Sequence, residues 1–271
     1  MDEKVLKSII DGLENGRKMA LVTITMANGS TPRKNGSMMS VDEYGKIVGS
    51  IGGGAIEHVV TNRAVECLEI GKGEKFEYDL NAGGKVKMVC GGAVEGYIKV
   101  FEPKPSLIIF GGGHISQSIC RLTDSMNFRR IVIEDREELK DYDAFKNIDK
   151  FIIANDINEL SGLNFNNSYI VVATRGHKSD TYWAKNLIDK NYNYLGVVGS
   201  MKKVLELKEV ILQEGFSEYL IEGMHAPIGL DISDGTPEEI ALSILSEILL
   251  VKNNGTLAHL QDVKKKALQN S

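Results

Sequence analysis

The run SLIIFGGGHIS, residues 106–116, decides the fold: a short apolar stretch, a three-glycine turn, then residues suited to open a helix. A strand that turns on glycine into a helix is how a nucleotide-binding Rossmann unit begins. Gly111 and Gly113 let the backbone turn tightly and approach a pyrophosphate. A helix opening near His114 offers its unpaired N–H groups to an anion. The third small position of this fingerprint is Ser116 instead of Gly or Ala, which permits close helix–strand packing less comfortably.

Downstream, the spacing predicts strands over 106–110, 130–134, 150–153, 168–173 and 194–198. Helices are predicted between and after them over 114–127, 179–190 and 201–215, with a polar helix or loop after 134. Alternation of this kind calls for a mostly parallel, doubly wound sheet covered on both faces. The segment 224–236 reads as a loop, and Thr236, Pro237 and Glu239 read as N-cap, first helical residue and capping-box partner of a helix to about Lys252. The polar stretch 261–271 is expected to fray.

Upstream the pattern differs. It predicts a helix over 2–15, a strand over 19–26, a loop over 27–36, a hairpin of 38–41 and 46–51, a helix over 55–71, and strands over 75–80 and 94–101. EPKP at 102–105 is the best linker in the chain. The fold class is therefore α/β, with an N-terminal α+β domain over 1–103 followed by a Rossmann-like domain over 104–271.

A length of 271 residues suits two domains, and a net charge of −5 argues against non-specific nucleic-acid binding. The first 16 residues form an acidic amphipathic segment without a long apolar core, so neither a signal peptide nor a membrane span is expected, and the cytoplasm is the default location. Three cysteines, Cys67, Cys90 and Cys120, without C-x-x-C spacing suit a reducing compartment better than a disulfide framework or zinc site. Of these, Cys90 stands out, because Gly91 and Gly92 leave its sulfur accessible and supply N–H groups to a thiolate, against the alternative of a half-buried structural cysteine.

Several positions are candidates for ligand contacts. Glu134, Asp135 and Arg136 end the second Rossmann strand about twenty residues past the glycines, where an acid meets a ribose hydroxyl. Either carboxylate fits the spacing, Arg136 suits an anionic group, and surface charge at a strand end is the plain alternative. In the first domain, Ser30 and Arg33 lie on a constrained loop, and Gly52, Gly53 and Gly54 run into a helix carrying Glu57. Together they resemble a second anion cradle, against the alternative of a turn that needs positive φ. His114 and His177 each follow a strand and belong at the carboxyl edge of the sheet. With Asp180 they could bind a metal, although no H-E-x-x-H spacing supports it, and hydrogen bonding to a ligand is the favoured role for them and His225. Gly199 and Ser200, before a helix with Lys202 and Lys203, are a further anion contact, or an ordinary helix cap.

Taken in order, GSTPR, GSMM, GSIGGGAIE, CGG, FGGGHIS, GVVGSMKK, HAPIGLDI and TPEEIALSILSEI make nearly the whole chain similar to the xanthine dehydrogenase accessory protein family of XdhC/CoxI type. Departures are Gly112 for the usual Ala, Glu134 for the usual Asp, and the loop ATRGHKSD at 173–180, which has Arg175 where that family has His. The resemblance implies a non-catalytic helper of a molybdenum hydroxylase such as xanthine dehydrogenase. Such a helper holds the molybdenum cofactor, as molybdopterin or its dinucleotide form, while a terminal sulfur is installed, then delivers it to the apoenzyme. It further implies a homodimer working beside a cysteine desulfurase, with Cys90 facing the molybdenum or the sulfur-transfer partner. The glycine fingerprint taken alone instead suggests an NAD(P)-dependent oxidoreductase, with His177 and Asp180 or His225 as acid and base, or a nucleotide-sensing regulatory protein.

Overall fold

The structure is a computed structural model that describes residues 2–29, 35–79 and 92–269. It divides into two compact units, Met1–Lys104 and Pro105–Ser271.

The first unit contains α1 (Asp2–Glu14), β1 (Met19–Gly29), β2 (Met38–Asp42), β3 (Ile47–Gly49), α2 (Gly54–Ile70), β4 (Glu74–Asp79) and β5 (Gly92–Phe101). The strands form one antiparallel sheet in the order β3-β2-β1-β5-β4. Alternation along β1 decides which helix covers which face. Ala20, Val22 and Ile24 pack with Met39, Val41 and Ile98 beneath Ile56, Val60 and Ala64 of α2. On the opposite face Met19, with Leu21, Met38 and Phe101, packs against Val5 and Ile9 of α1. Strand β1 continues past the predicted end at 26, because Ala27, Asn28 and Gly29 pair with Val94, Ala93 and Gly92 beyond a bulge between Ile24 and Met26.

The second unit contains β6 (Ser106–Phe110), α3 (His114–Leu122), β7 (Arg129–Glu134), β8 (Lys150–Ile153), β9 (Ser168–Val172), α4 (His177–Leu187), β10 (Tyr194–Val197), α5 (Met201–Gln213), α6 (Glu218–Glu222), α7 (Pro237–Lys252) and α8 (Leu260–Gln269). All five strands are parallel, in the order β10-β9-β6-β7-β8. From β6 the chain winds outward through β7 and β8, then returns to the other side of β6 for β9 and β10. That reversal is the topological switch point at which such sheets bind ligands, outside the strands' carboxyl ends. Ile108, Phe110, Ile131, Ile133, Ile170 and Val172 face Trp183 and Leu187 of α4 and Leu207 and Ile211 of α5. Leu107, Ile109, Val132, Val171 and Tyr194 face Ile119 of α3 and Ile244, Leu245 and Ile248 of α7.

The structure differs from the expected elements where side chains compete with the backbone. Helix α3 stops at Leu122 instead of 127, where the Thr123 hydroxyl donates to the Ile119 carbonyl at 2.8 Å and takes an acceptor of the last turn. The polar stretch after β7 forms two short 3₁₀ turns, at Glu137–Asp141 and Asp143–Phe145. The start of α7 keeps its Thr236 cap, whose hydroxyl accepts the Glu239 N–H at 3.4 Å. The Glu239 carboxylate, however, accepts the Asp234 N–H at 2.7 Å, so it braces the preceding loop. The end of the chain expected to fray carries α8, exposed over 260–265. Within 224–236, His225 forms a parallel bridge with Gly196. The His225 N–H donates to Leu195, and the N–H groups of Val197 and Ile228 donate to His225 and Val197.

Candidate functional site

The site grows out of the end of β6. Gly111 has φ +106°, a conformation favourable to glycine, and its N–H donates to Ile133 at 2.8 Å. A Cβ there would lie 2.3 Å from the Ala173 carbonyl oxygen, so only glycine lets the turn pass the end of β9. Gly113 caps α3 with no side-chain hydrogen bond, and nothing lies within 4 Å of where its Cβ would be. The first turn of α3 is thus an uncapped N-terminus beginning at His114.

A cavity of about 330 Å³ opens beside this turn, lined by Gly111 from β6, Glu134 and Asp135 after β7, Asn155 after β8, and Arg175 and Lys178 from the loop and first turn of α4. Ile133, Ala154 and Trp183 also line it. The two carboxylates behave differently. Glu134, with a side chain only 3% exposed, accepts the N–H groups of Gly112, Asp135 (3.1 Å) and Arg136 (3.2 Å) and the Arg136 guanidinium at 2.9 and 3.0 Å. Burial alone pushes its carboxyl up, but the bonds from Arg136, the adjoining Asp135 and the Gly112 N–H outweigh that and hold it down to about 2. Asp135 is 58% exposed, and the Glu134 carboxylate beside it pushes its pKa up.

Across the cavity, Asp180 accepts the Thr174 N–H at 2.9 Å and hydroxyl at 2.6 Å, pinning the 174–176 loop from below. Burial pushes its carboxyl up, although those bonds oppose the shift. His177 opens α4 and lies 3.5 Å from Glu206 of α5. Gly199 precedes Ser200, which caps α5 without a side-chain bond. His225 sits elsewhere. Its ring stacks on Tyr194, the first residue of β10, at 4.4 Å, and its Nδ1 lies 3.2 Å from Glu247 of α7. It therefore packs with Tyr194 on the sheet face under α7.

In the first unit, Gly52, Gly53 and Gly54 all have positive φ and open α2. Ser50 accepts the Gly52 N–H at 3.2 Å and donates to Glu57 at 3.3 Å. The expected anion cradle thus carries its own carboxylate, which disfavours a phosphate there. Gly92 opens β5 opposite Gly29. Ser30, Arg33, Cys90 and Gly91 lie outside the described residues. Among the described residues no cluster of three His, Cys, Asp or Glu side chains could hold a metal ion, and no helix is long and apolar enough to cross a membrane.

Sequence reasoning missed Asn155, Lys178 and Ser179 as lining residues. Their signal was position: Asn155 lies just past β8, and Lys178 and Ser179 open the helix that follows β9, on the same edge as Gly111. Ser116 is fully buried and its hydroxyl has no hydrogen-bond partner. Ser116→Ala is expected to raise the unfolding free energy by about 1 kcal/mol, read from the urea midpoint, by removing an unmet polar group.

The model of the XdhC Rossmann domain matches residues 107–248, and that of the XdhC and CoxI family matches residues 13–79. The chain belongs to the XdhC family. Among XdhC relatives, an uncharacterized Escherichia coli protein, YqeB, is 31% identical over 89% of this chain and 45% of its own length. A Bacillus subtilis protein named as a probable xanthine dehydrogenase component is 30% identical over 56% of this chain and 44% of its own. The molybdenum cofactor insertion chaperone PaoD of Escherichia coli is 26% identical over 33% of this chain and 29% of its own. The XdhC chain therefore spans less than half the length of these curated relatives. A crystal structure described as a xanthine dehydrogenase from Bacillus halodurans shares the fold, with a TM-score of 0.51 at 19% identity, covering 93% of this chain and 96% of that one.

Proposed function

We propose that this chain is an accessory protein for a molybdenum hydroxylase of the xanthine dehydrogenase kind. It binds the molybdenum cofactor as cargo, holds it while a cysteine desulfurase supplies the terminal sulfur, and delivers it to the apoenzyme without catalysing a reaction of its own. The observation that carries this reading is the match of both XdhC models, in order, to the two units. The relative named as a molybdenum cofactor insertion chaperone supports it. So do the open cavity at the switch point and, beside it, the uncapped start of α3, which suits a phosphate of the cargo. In this reading Gly111, Gly113 and His114 meet that phosphate, Cys90 with Gly91 faces the molybdenum or the incoming sulfur, and the protein works as a cytoplasmic homodimer of two-domain chains divided near residue 103.

The test is anaerobic incubation of the whole chain with cofactor released from a molybdoenzyme, followed by desalting. Molybdenum by mass spectrometry and pterin by fluorescence are expected to be retained near one per chain, and the loaded protein is expected to activate an apo hydroxylase. Loss of both molybdenum and pterin on desalting overturns the reading.

A further inference from the structure

Helix α5 carries more apolar surface than its own unit covers. Val204, Leu207 and Ile211 are buried, the last two in the core on the α4 face of the parallel sheet. Glu206 and Glu214 mark the flank next to α4, where they lie 3.5 Å from His177 and 2.9 Å from Lys185. A third side is left. At about 3.6 residues per turn, Met201, Leu205, Lys208 and Leu212 fall in one line along the helix, on the flank turned away from α4. Met201, Leu205 and Leu212 are 61, 55 and 46% exposed. Single exposed apolar residues are ordinary, but three aligned along one helix make a seam that a second helix would cover.

The charges beside the seam decide which helix fits it. Its four-three-four spacing is that of a heptad, with Leu205 and Leu212 at one kind of core position and Met201 and Lys208 at the other. Lys202 and Glu209 border the seam on its solvent side, seven residues apart; both are exposed, and neither has an ion pair among the described residues. Lys203 points back toward α4, where its charge reaches Asp180. A seam with a lysine near its start and a glutamate near its end is self-complementary when two copies run antiparallel. Each Lys202 then lies beside the partner's Glu209, twice across the two-fold axis. The same arrangement sets Met201 against Leu212 and Leu205 against the aliphatic stem of Lys208. Parallel pairing would instead put Lys208 against its own copy and like charge beside like charge.

We propose that α5 is the self-association surface of this chain: two copies pair antiparallel along Met201, Leu205 and Leu212, with Lys202 of each meeting the partner's Glu209. The inference rests on the homodimer of the proposed reading and gives that dimer its contact.

The experiment is sedimentation velocity of the whole chain over a range of concentrations. At micromolar concentration the protein is expected to sediment with twice the mass of one chain, and Leu205→Glu with the mass of one. Lys202→Glu and Glu209→Lys are each expected to raise the dimer dissociation constant about tenfold, and the double variant to return it close to the wild-type value. All three side chains are exposed, so the far-ultraviolet circular dichroism of every variant should match wild type. A chain that stays monomeric at every concentration overturns the inference, as does a dimer that survives Leu205→Glu, or charge reversals that the double variant does not rescue. Retention of molybdenum and pterin by a monomer overturns this inference and leaves the cargo part of the proposed reading standing. A dimer broken by Leu205→Glu in a chain that loses its cargo on desalting does the reverse.

Discussion

Replacing Gly111 with alanine is expected to lower the unfolding free energy by about 3–5 kcal/mol. Two costs add. The backbone there has φ +106°, which an L side chain rarely adopts. The new methyl would also meet the Ala173 carbonyl oxygen at 2.3 Å, its carbon at 2.8 Å and Thr174 Cα at 2.9 Å. These are backbone atoms, and β9 is not free to retreat, because the Ala173 N–H is tied to Phe110 and Val172 accepts from Val198. Relief must therefore come from moving the glycine turn, which carries the Gly112 N–H away from Glu134. Urea unfolding followed by circular dichroism measures the stability. Gly113→Ala is the control: its φ is −69° and its Cβ meets nothing within 4 Å, so its unfolding free energy should change by less than about 0.5 kcal/mol. Equal effects of the two substitutions would show that the close approach to β9 is not what requires glycine.

Glu247→Ala is expected to cost about 3–5 kcal/mol, because it strands donors that the carboxylate now serves. Glu247 accepts the Tyr194 hydroxyl and the Gly229 N–H at 2.8 Å and lies 3.2 Å from His225 Nδ1, tying α7 to β10 and to the 224–229 segment. Burial pushes the Glu247 carboxyl up, but the bonds from His225, Tyr194 and Gly229 prevail and bring it from 4.5 down to about 2. With the folded value below the unfolded one, the contribution is complete above pH 4.5 and is lost as pH falls toward 2. The loss amounts to about 3 kcal/mol over that interval. Glu247→Gln keeps an acceptor but no titrating group, so its stability should fall less steeply between pH 5 and 2 than that of wild type. Parallel acid profiles for the two proteins would remove Glu247 from the account.

The alternation of strands and helices after residue 105 was legible because the central strands bury both faces and each turn carries its own punctuation. The sheet order follows from short connections and the right-handed crossover that parallel strands require. Choosing between Glu134 and Asp135 needed more. Spacing from the glycines admits both residues, and only the facing of Val132 and Ile133 tells which carboxylate runs under the turn. Glu247 was hidden in the run ILSEILL, yet a lone acid inside an apolar helix was itself a sign of a buried partner. His225 misled because a histidine on a loop looks free. Nothing local announces that the loop folds back along β10 and stacks the ring on Tyr194. Helix α6, at five residues, is too short to show a period.

The return of the chain along β10 has a bearing on how this protein meets others. An edge strand ordinarily displays a row of unpaired N–H and C=O groups that invites another chain to pair with it. Here the Leu195 and Val197 groups on that side are spoken for by His225 and Ile228. The opposite border, β8, is four residues long and begins on an exposed lysine. The parallel sheet is thereby kept from zipping onto a neighbouring chain, or onto a second copy of itself, through an open strand edge.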